Sequence, residues 1–388
     1  MYGASILWSV CRLFTLLLTL PLLAAAPAVF VEHTIASDLK GGYQVVAADL
    51  NHDGRPDLIA LASGMSELVW YENPGWQRHV LAAGQNRMIN CTVVGNEIVL
   101  ASEFSMQAKD SAGVVSVLHP GSDPREPWTV TEIDRLPTSH RLRTADIDGS
   151  GHLVVINAAL TSAAATAPDY RGETPLVYYI PGEWKRRAIS TENSGVVHGI
   201  YVTDWDGNGR EGILSASFTG IHLFRYTPLG DKNAARWTRT ELAKGDPAPW
   251  PKSGSSDIAV GQLGVGDLAK SRFLAAIEPW HGNQVAVYTQ RGAQWEREVI
   301  DSSLNDGHTI QAADLNGDGV PEIIAGFRGQ PRSVYLYSYD AAAKRWTRSD
   351  LDKGGMGAAA CTVVDLNKDG RPDIACIDST RLKWYENR

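Results

Sequence analysis

The 388-residue chain is short of the residues that would tie it to several common chemistries. It has four cysteines, Cys11 falls in an apolar N-terminal stretch, and no C-x-x-C pair occurs. That leaves Cys91, Cys361 and Cys376, an odd number that cannot be a complete disulfide framework. The expectation is three buried, inert thiols, although Cys361 and Cys376 flank one short hairpin and could pair. There is no basic block, and 36 Lys and Arg against 44 Asp and Glu leave a net charge of −8. This balance argues against a nucleic-acid partner. No glycine-rich phosphate loop, G-x-S-x-G elbow or reactive-cysteine setting occurs, which removes nucleotide chemistry and serine hydrolysis.

Long apolar runs are absent too, except at the N-terminus. There "LFTLLLTLPLLAAA" follows Arg12 and leads to "APA" at Ala26–Ala28. Residues 1–28 read as a secretory signal, with an uncleaved anchor as the alternative. Without another stretch able to cross a bilayer, the mature chain is expected to be secreted or periplasmic, with no membrane span.

What the chain does contain is a repeat. "DLNHDGRPDL" at Asp49 returns as "DIDGSG" at Asp146, "DWDGNG" at Asp204, "DLNGDGVPEI" at Asp314 and "DLNKDGRPDI" at Asp365. Degraded copies place Gly95 and Gly261 at the same position, so seven anchors recur at intervals of 46 to 58 residues. Trp76, Trp128, Trp184, Trp237, Trp295 and Trp346 keep the same beat, each opening an alternating polar–apolar segment. Between anchor and Trp lie runs such as "ELVWYENP" and "QVAVYTQ". Period-two patterning of this kind marks half-buried strands. Four short antiparallel strands per repeat, seven times, predict an all-β, seven-bladed propeller over residues 29–388. The tryptophans are then a blade-packing repeat.

The chain ends on a third strand, "LKWYENR", and begins its mature part with "VFVEHTIAS", which matches the Trp-led segments with Phe30 in the Trp place. The N-terminal strand is therefore predicted to complete the last blade. These repeats resemble the FG-GAP or VCBS family of integrin-type propellers. That resemblance implies the fold and leaves function open, because such propellers host receptors, lectin-like modules and enzymes.

The aspartate loops carry oxygen side chains at positions 1, 3, 5 and 9, the donor set of a hard cation, with glycine at position 6 for the turn. The first offers Asp49, Asn51, Asp53 and Asp57; the sixth Asp314, Asn316, Asp318 and Glu322; the seventh Asp365, Asn367, Asp369 and Asp373. These three are expected to hold structural Ca2+. The loops at Asp146 and Asp204 lack an acid at position 9. The alternative throughout is an Asp-rich turn whose carboxylates accept backbone N–H groups with no ion.

Three of the ten histidines share a register. His140, His198 and His308 each stand six residues before an anchor Asp, and Tyr43 does so in the first repeat. Six residues of strand span roughly 20 Å, so these side chains belong at the mouth opposite the aspartate loops. Residues after the second strands should rim the same mouth: Glu103, Glu278, Trp280, His281, Asn283 and Arg328. Converging neutral imidazoles suit zinc or a similar divalent ion with an open position, while the plainer alternative is strand-end histidines bonding carbonyls.

"SHRLRTADIDG", "VHGIYVTDW", "WHGNQVAVYT" and "GHTIQAADLNGDG" also resemble the propeller domain of the aldos-2-ulose dehydratase family. The resemblance implies a metal-containing sugar site, with His140, His198 and His308 as ligands and His281 as a further site residue. A metal-assisted lyase or dehydratase acting beside a sugar carbonyl or uronate follows as the expected activity. His281 or Tyr43 is the expected base, and Arg141 or Arg328 would neutralise developing charge. A family member carries cupin domains after its propeller, and this sequence stops at Arg388. The rival expectation is a non-catalytic propeller binding a glycan or protein at this face.

Overall fold

A computed structural model describes residues 27–229, 235–263, 271–292 and 294–388. The expected leader, 1–28, lies outside the described residues apart from 27 and 28, as does most of the degraded loop after Gly261. The described residues form seven four-stranded antiparallel sheets in sequential order. The innermost strands are Gly42–Ala48, Asn90–Val94, Ser139–Ala145, Val197–Thr203, Asp257–Leu263, Gly307–Ala313 and Ala360–Val364. Each packs against the innermost strands before and after it, and the seventh packs against the first, closing the ring. No described helix is long and apolar enough to cross a membrane.

Burial follows position within a blade. The second strands, such as Asp57–Ala62 and Glu322–Phe327, are buried along their whole length because blades cover both faces. The fourth strands, such as Arg345–Asp352, are largely exposed. Core clusters bridge neighbouring blades; one joins Phe273, Ile277 and Val287 to Ile323, Phe327 and Tyr337. Inner-strand backbone groups that no ladder reaches find side chains of the preceding blade. Gln44 exchanges two hydrogen bonds with the Cys91 backbone, and Asn90 and Asp257 accept from the amides of Leu142 and Ile310. Buried backbone groups rarely go unpaired, so these contacts fix each blade against its neighbour.

The ring closes as the strand count requires. Phe30–Ala36 pairs antiparallel with Leu382–Asn387, from Phe30 opposite Asn387 to Ala36 opposite Leu382, and completes the seventh blade. Closure removes the open edge that Leu382–Asn387 would otherwise present. The expectation of three free thiols is corrected here. Cys361 and Cys376 face each other across adjacent strands, with Cα atoms 4.1 Å apart, and form a disulfide. Cys91 stays free, and burial pushes its thiol up to about 12.

All five aspartate loops share one conformation. The first Asp accepts the amides of positions 5 and 6, as Asp49 does from Asp53 and Gly54, and Asp365 from Asp369 and Gly370. Asp314, Asp146 and Asp204 repeat the pattern. Position-6 glycines adopt φ of 80 to 86°, the left-handed region that glycine tolerates. The acid at position 9 has a different task. Asp57, Glu322 and Asp373 each accept the amide of position 2 at 2.9 Å, from Leu50, Leu315 and Leu366. The second oxygen of Asp57 takes the Asn73 amide and that of Asp373 the Asn387 amide, clamping loop to strand.

Candidate active site at the channel mouth

The inner strands explain why the mouth residues project inward. In four blades the pairing of the first two strands slips by one residue near the mouth. The slips lie between Gly42 and Gln44, Ser139 and Arg141, Val197 and Gly199, and Gly307 and Thr309. The residue skipped is Tyr43, His140, His198 or His308. Blades 2, 5 and 7 pair without such a slip. A β-bulge leaves its extra residue unpaired and re-aims the side chain. Four bulges in one register thus point one tyrosine and three histidines at the channel axis.

The fourth histidine arrives differently. His281 lies in the tight turn Pro279–Gly282 after the second strand of blade 5, with φ of 49°. A Cβ on Gly282 would meet the Glu278 carbonyl oxygen at 2.2 Å, so the turn admits only glycine there. His281 Nε2 stands 3.2 Å from His198 Nε2, and ligand nitrogens of His198, His281 and His308 all lie within 4.8 Å of one another. Three zinc–nitrogen bonds of about 2.0–2.1 Å at the tetrahedral angle require nitrogens roughly 3.3 Å apart. The trio fits such an ion after small adjustments.

The trio's other ring nitrogens have outer partners. His308 Nδ1–H donates to the Ala359 carbonyl at 2.5 Å, which leaves Nε2 as an acceptor; that buried atom has no hydrogen-bond partner among the described residues. His198 Nδ1 meets Ser256 Oγ at 3.1 Å, and the same hydroxyl accepts the His281 amide. His281 Nδ1 lies 3.1 Å from Arg328 Nη2 and 3.2 Å from Asp306 Oδ1, whose carboxylate also takes a two-pronged contact from Arg328; with Nδ1 protonated, the imidazole donates to Asp306. Carbonyl, hydroxyl and carboxylate partners of this kind orient metal-binding imidazoles.

His140 stands apart from the trio. Its ring is 5.0 Å from that of His198, but Nε2 faces Arg141 Nη1 at 3.1 Å and the Tyr43 hydroxyl at 3.0 Å. The structure therefore brings His281 together with His198 and His308, in the place the sequence reading gave to His140.

Burial keeps these rings neutral. His140, His198 and His308 are each 1% exposed, and burial holds all three well below the usual histidine range, with nearby arginines adding to the effect. Burial and Arg328 bring His281 down to about 4, against the opposing pull of Asp306. Neutral imidazoles have the free lone pair that a metal or a proton needs.

Two rim expectations change. Glu278 is fully buried and accepts hydrogen bonds from Ser255, Tyr288 and Arg297, so it is part of the blade interior. Glu103 is paired with Arg87. An aromatic shelf that the repeat pattern did not reveal borders the mouth: Trp280 lies against His281, Tyr170 and Phe218, and Trp250 packs on Phe218. Ser256 and Asp306 were also missed. Their only sequence signal is position: Ser256 follows Ser255, which stands six residues before the Gly261 anchor, and Asp306 stands two before His308.

Residues 112–291 match the family model described as aldos-2-ulose dehydratase, beta-propeller domain. The aldos-2-ulose dehydratase of Phanerodontia chrysosporium is 28% identical over 334 residues, covering 75% of this chain and 35% of that protein. The chain thus spans about a third of that relative. Among solved structures, a streptogramin B lyase superposes with a TM-score of 0.58 at 10% identity, covering 92% of this chain and 98% of that one. The extracellular domain of a one-component system from B. thetaiotaomicron gives 0.53 at 12% identity, covering 92% of this chain and 39% of that one. At these identities the structural likeness concerns the fold alone.

Proposed function

We propose that this chain is an exported, carbohydrate-active propeller that eliminates an oxygen substituent β to a sugar carbonyl or uronate at its histidine-lined mouth. The observation that carries the reading is the meeting of three histidine nitrogens, each ring with an outer partner, and one nitrogen, His308 Nε2, left without a hydrogen-bond partner among the described residues. Similarity to a sugar dehydratase supports the substrate class. His198, His281 and His308 are the residues that would hold a divalent ion such as Zn2+. Such an ion supplies Lewis-acid polarisation of the carbonyl.

The remaining groups move the protons. The carbon next to the carbonyl loses its proton to a base, the C–H electrons form the new double bond, and the β C–O bond breaks with its electrons on oxygen. Neutral His140 is the imidazole outside the trio that would accept the proton; Arg141 donates to its Nε2, which marks that atom as the lone-pair side, and must swing aside for the transfer. The Tyr43 hydroxyl, within hydrogen-bond reach of the same nitrogen, is suited to hand a proton to the leaving oxygen. Arg141 lies beside both and stabilises negative charge as it develops.

The aromatic shelf favours one other reading, a glycan-binding propeller without catalysis, since aromatic faces also serve recognition alone. Assignment to the FG-GAP/VCBS repeats and structural Ca2+ in the three full aspartate loops belong to the same proposal. Export is supported by the Cys361–Cys376 disulfide, a bond that persists in oxidising compartments.

The test is metal analysis of purified protein, followed by keto- and uronate sugars monitored for enone absorbance. His308→Ala should lose most of the metal. His140→Ala should keep the metal and lose turnover. Full metal content in His308→Ala, or metal loss in both variants alike, defeats the assignment. A metal-replete protein that binds sugars without converting any supports the binding reading.

A further inference from the structure

We infer that the sugar taken by this mouth is acidic, its carboxylate held by Arg328 and Arg332 in a subsite beside the histidine trio. The inference rests on the carbohydrate reading above and narrows it.

The first support is charge. The chain is net negative by eight, yet three arginines converge on this opening. Arg141 is 6% exposed and meets no carboxylate within 4.0 Å among the described residues; its guanidinium nitrogens face His140, His198 and Tyr43. Its counter-charge is Asp257, which lines the same stretch of channel beyond ion-pair distance, so the end of the guanidinium at the mouth borders neutral imidazoles only. Arg328 is paired with Asp306. Arg332 has no carboxylate within the same distance among the described residues.

The second support is shape. A cavity of about 210 Å3 adjoins the trio, lined by Tyr43, Ser63, Arg328, Arg332, Asp378 and Ser379, with Ala359 and glycines between them. This is room for several waters. Tyr43 is shared with the mouth, Arg328 touches His281, and Ala359 carries the carbonyl that orients His308. A ligand here would therefore lie beside the trio, with Tyr43, Arg328 and Ala359 between.

The acid in this wall does not repel an anion. Both oxygens of Asp378 are occupied, by the Arg381 guanidinium and by the amides of Thr380 and Arg381. Arg332 is set in place by its backbone, with φ of 60°, a conformation non-glycine residues seldom take. Its stem passes over Gly357, where an added Cβ would lie 3.3 Å from Arg332 Cδ and 3.4 Å from the Arg328 carbonyl oxygen. The glycine keeps the floor between the two arginines open. Arg328 spends Nε and Nη2 on Asp306, which leaves its Nη1 and the Arg332 guanidinium for a ligand carboxylate, and Arg332 can take one in parallel charge-assisted hydrogen bonds.

The test compares a galacturonate disaccharide with its methyl ester by calorimetric binding and by ultraviolet absorbance of the unsaturated product. Hydrogen bonds to charged groups contribute about 1.5–3 kcal/mol, so the acid should bind about 10- to 100-fold more tightly than the ester. Arg332→Ala should raise Kd and KM for the acid by about tenfold or more, leave the ester unchanged and leave metal content intact, with Arg332→Lys recovering part of the loss. Equal binding of acid and ester, or a neutral keto sugar turned over as well as the acid and indifferent to Arg332→Ala, overturns the acidic-sugar inference while leaving the elimination reading standing. A sulfated sugar bound as tightly as the uronate, with the same dependence on Arg332, shows that the pocket reads charge alone and also overturns the substrate class. Binding that favours the acid and depends on Arg332, with no turnover of any sugar, upholds the subsite and defeats the enzyme reading instead.

Discussion

Asp306 offers a sharp perturbation of the trio because it touches the imidazole without being a ligand itself. Its carboxylate lies 3.2 Å from His281 Nδ1 and pairs with Arg328, and its side chain is 35% exposed. Asp306→Asn keeps the size of the side chain and removes its charge. In the tautomer that binds a metal, His281 Nδ1–H faces this carboxylate rather than Arg328 Nη2, which lies 3.1 Å away, and the substitution removes the charge that makes Nε2 a stronger donor. Outer-partner changes of this type weaken metal binding about 10- to 100-fold, or about 1.4–2.7 kcal/mol. Partial exposure means that the fold should survive, which a thermal melt checks. The assay is calorimetric titration of chelator-stripped protein with zinc at fixed pH, with Asp378→Asn as a control carboxylate that faces Arg381 rather than the trio. A wild-type Kd retained within about twofold in Asp306→Asn, while His308→Ala loses binding, refutes the carboxylate–histidine–metal arrangement. If the wild-type protein itself takes up no zinc or comparable ion, the metal reading fails altogether.

Other outcomes test the frame around the site. Chelation should lower the melting temperature by a few degrees if the full aspartate loops bind Ca2+, because an ion bound only by the folded state stabilises it by mass action; an unchanged melt means the backbone N–H bonds suffice. Removing residues 29–36 should strip the seventh blade of its outer strand and expose Leu382–Asn387, seen as a lower melting temperature and association on gel filtration; an unchanged monomer with an unchanged melt would refute the clasp. Hydrogen bonding from Arg125 holds Glu72 down to about 2 from an ordinary value of 4.5. A carboxylate lowered in this way adds stability that is present above pH 4.5 and is lost as pH falls toward 2. Glu72→Gln should therefore lose stability at neutral pH and flatten the acid limb of a pH–stability curve; an acid limb identical to wild type would refute the linkage.

Much of the architecture was legible in the sequence because it repeats. Blade number followed from seven anchors, and closure from a strand deficit at Leu382–Asn387 matched by a surplus at Phe30–Ala36. The mouth register of Tyr43, His140, His198 and His308 was legible for the same reason. Which histidines meet was not. His281 sits on a turn with left-handed backbone, and strand periodicity gives no direction for such a residue. Asp306 and Ser256 act across blade boundaries, so no local pattern joins them to their histidines. The bulges were hidden because one skipped residue leaves the composition of a strand unchanged. The Cys361–Cys376 bond was obscured by Cys91, which made the count odd.

The four bulges separate what the ring needs for folding from what it needs for chemistry. Below each skipped residue the pairing of the first two strands continues unbroken, so the blade's hydrogen-bond ladder does not depend on whether the skipped residue is histidine, tyrosine or anything else. Each such residue is in effect a single added letter at the top of a standard strand. Deleting His140 outright, rather than replacing it, would let Ser139 and Arg141 pair in sequence and give blade 3 the regular ladder that blades 2, 5 and 7 already have. The same fold can thus gain or lose a reactive group by insertion or deletion of one codon, with the β-sheet beneath as an indifferent support.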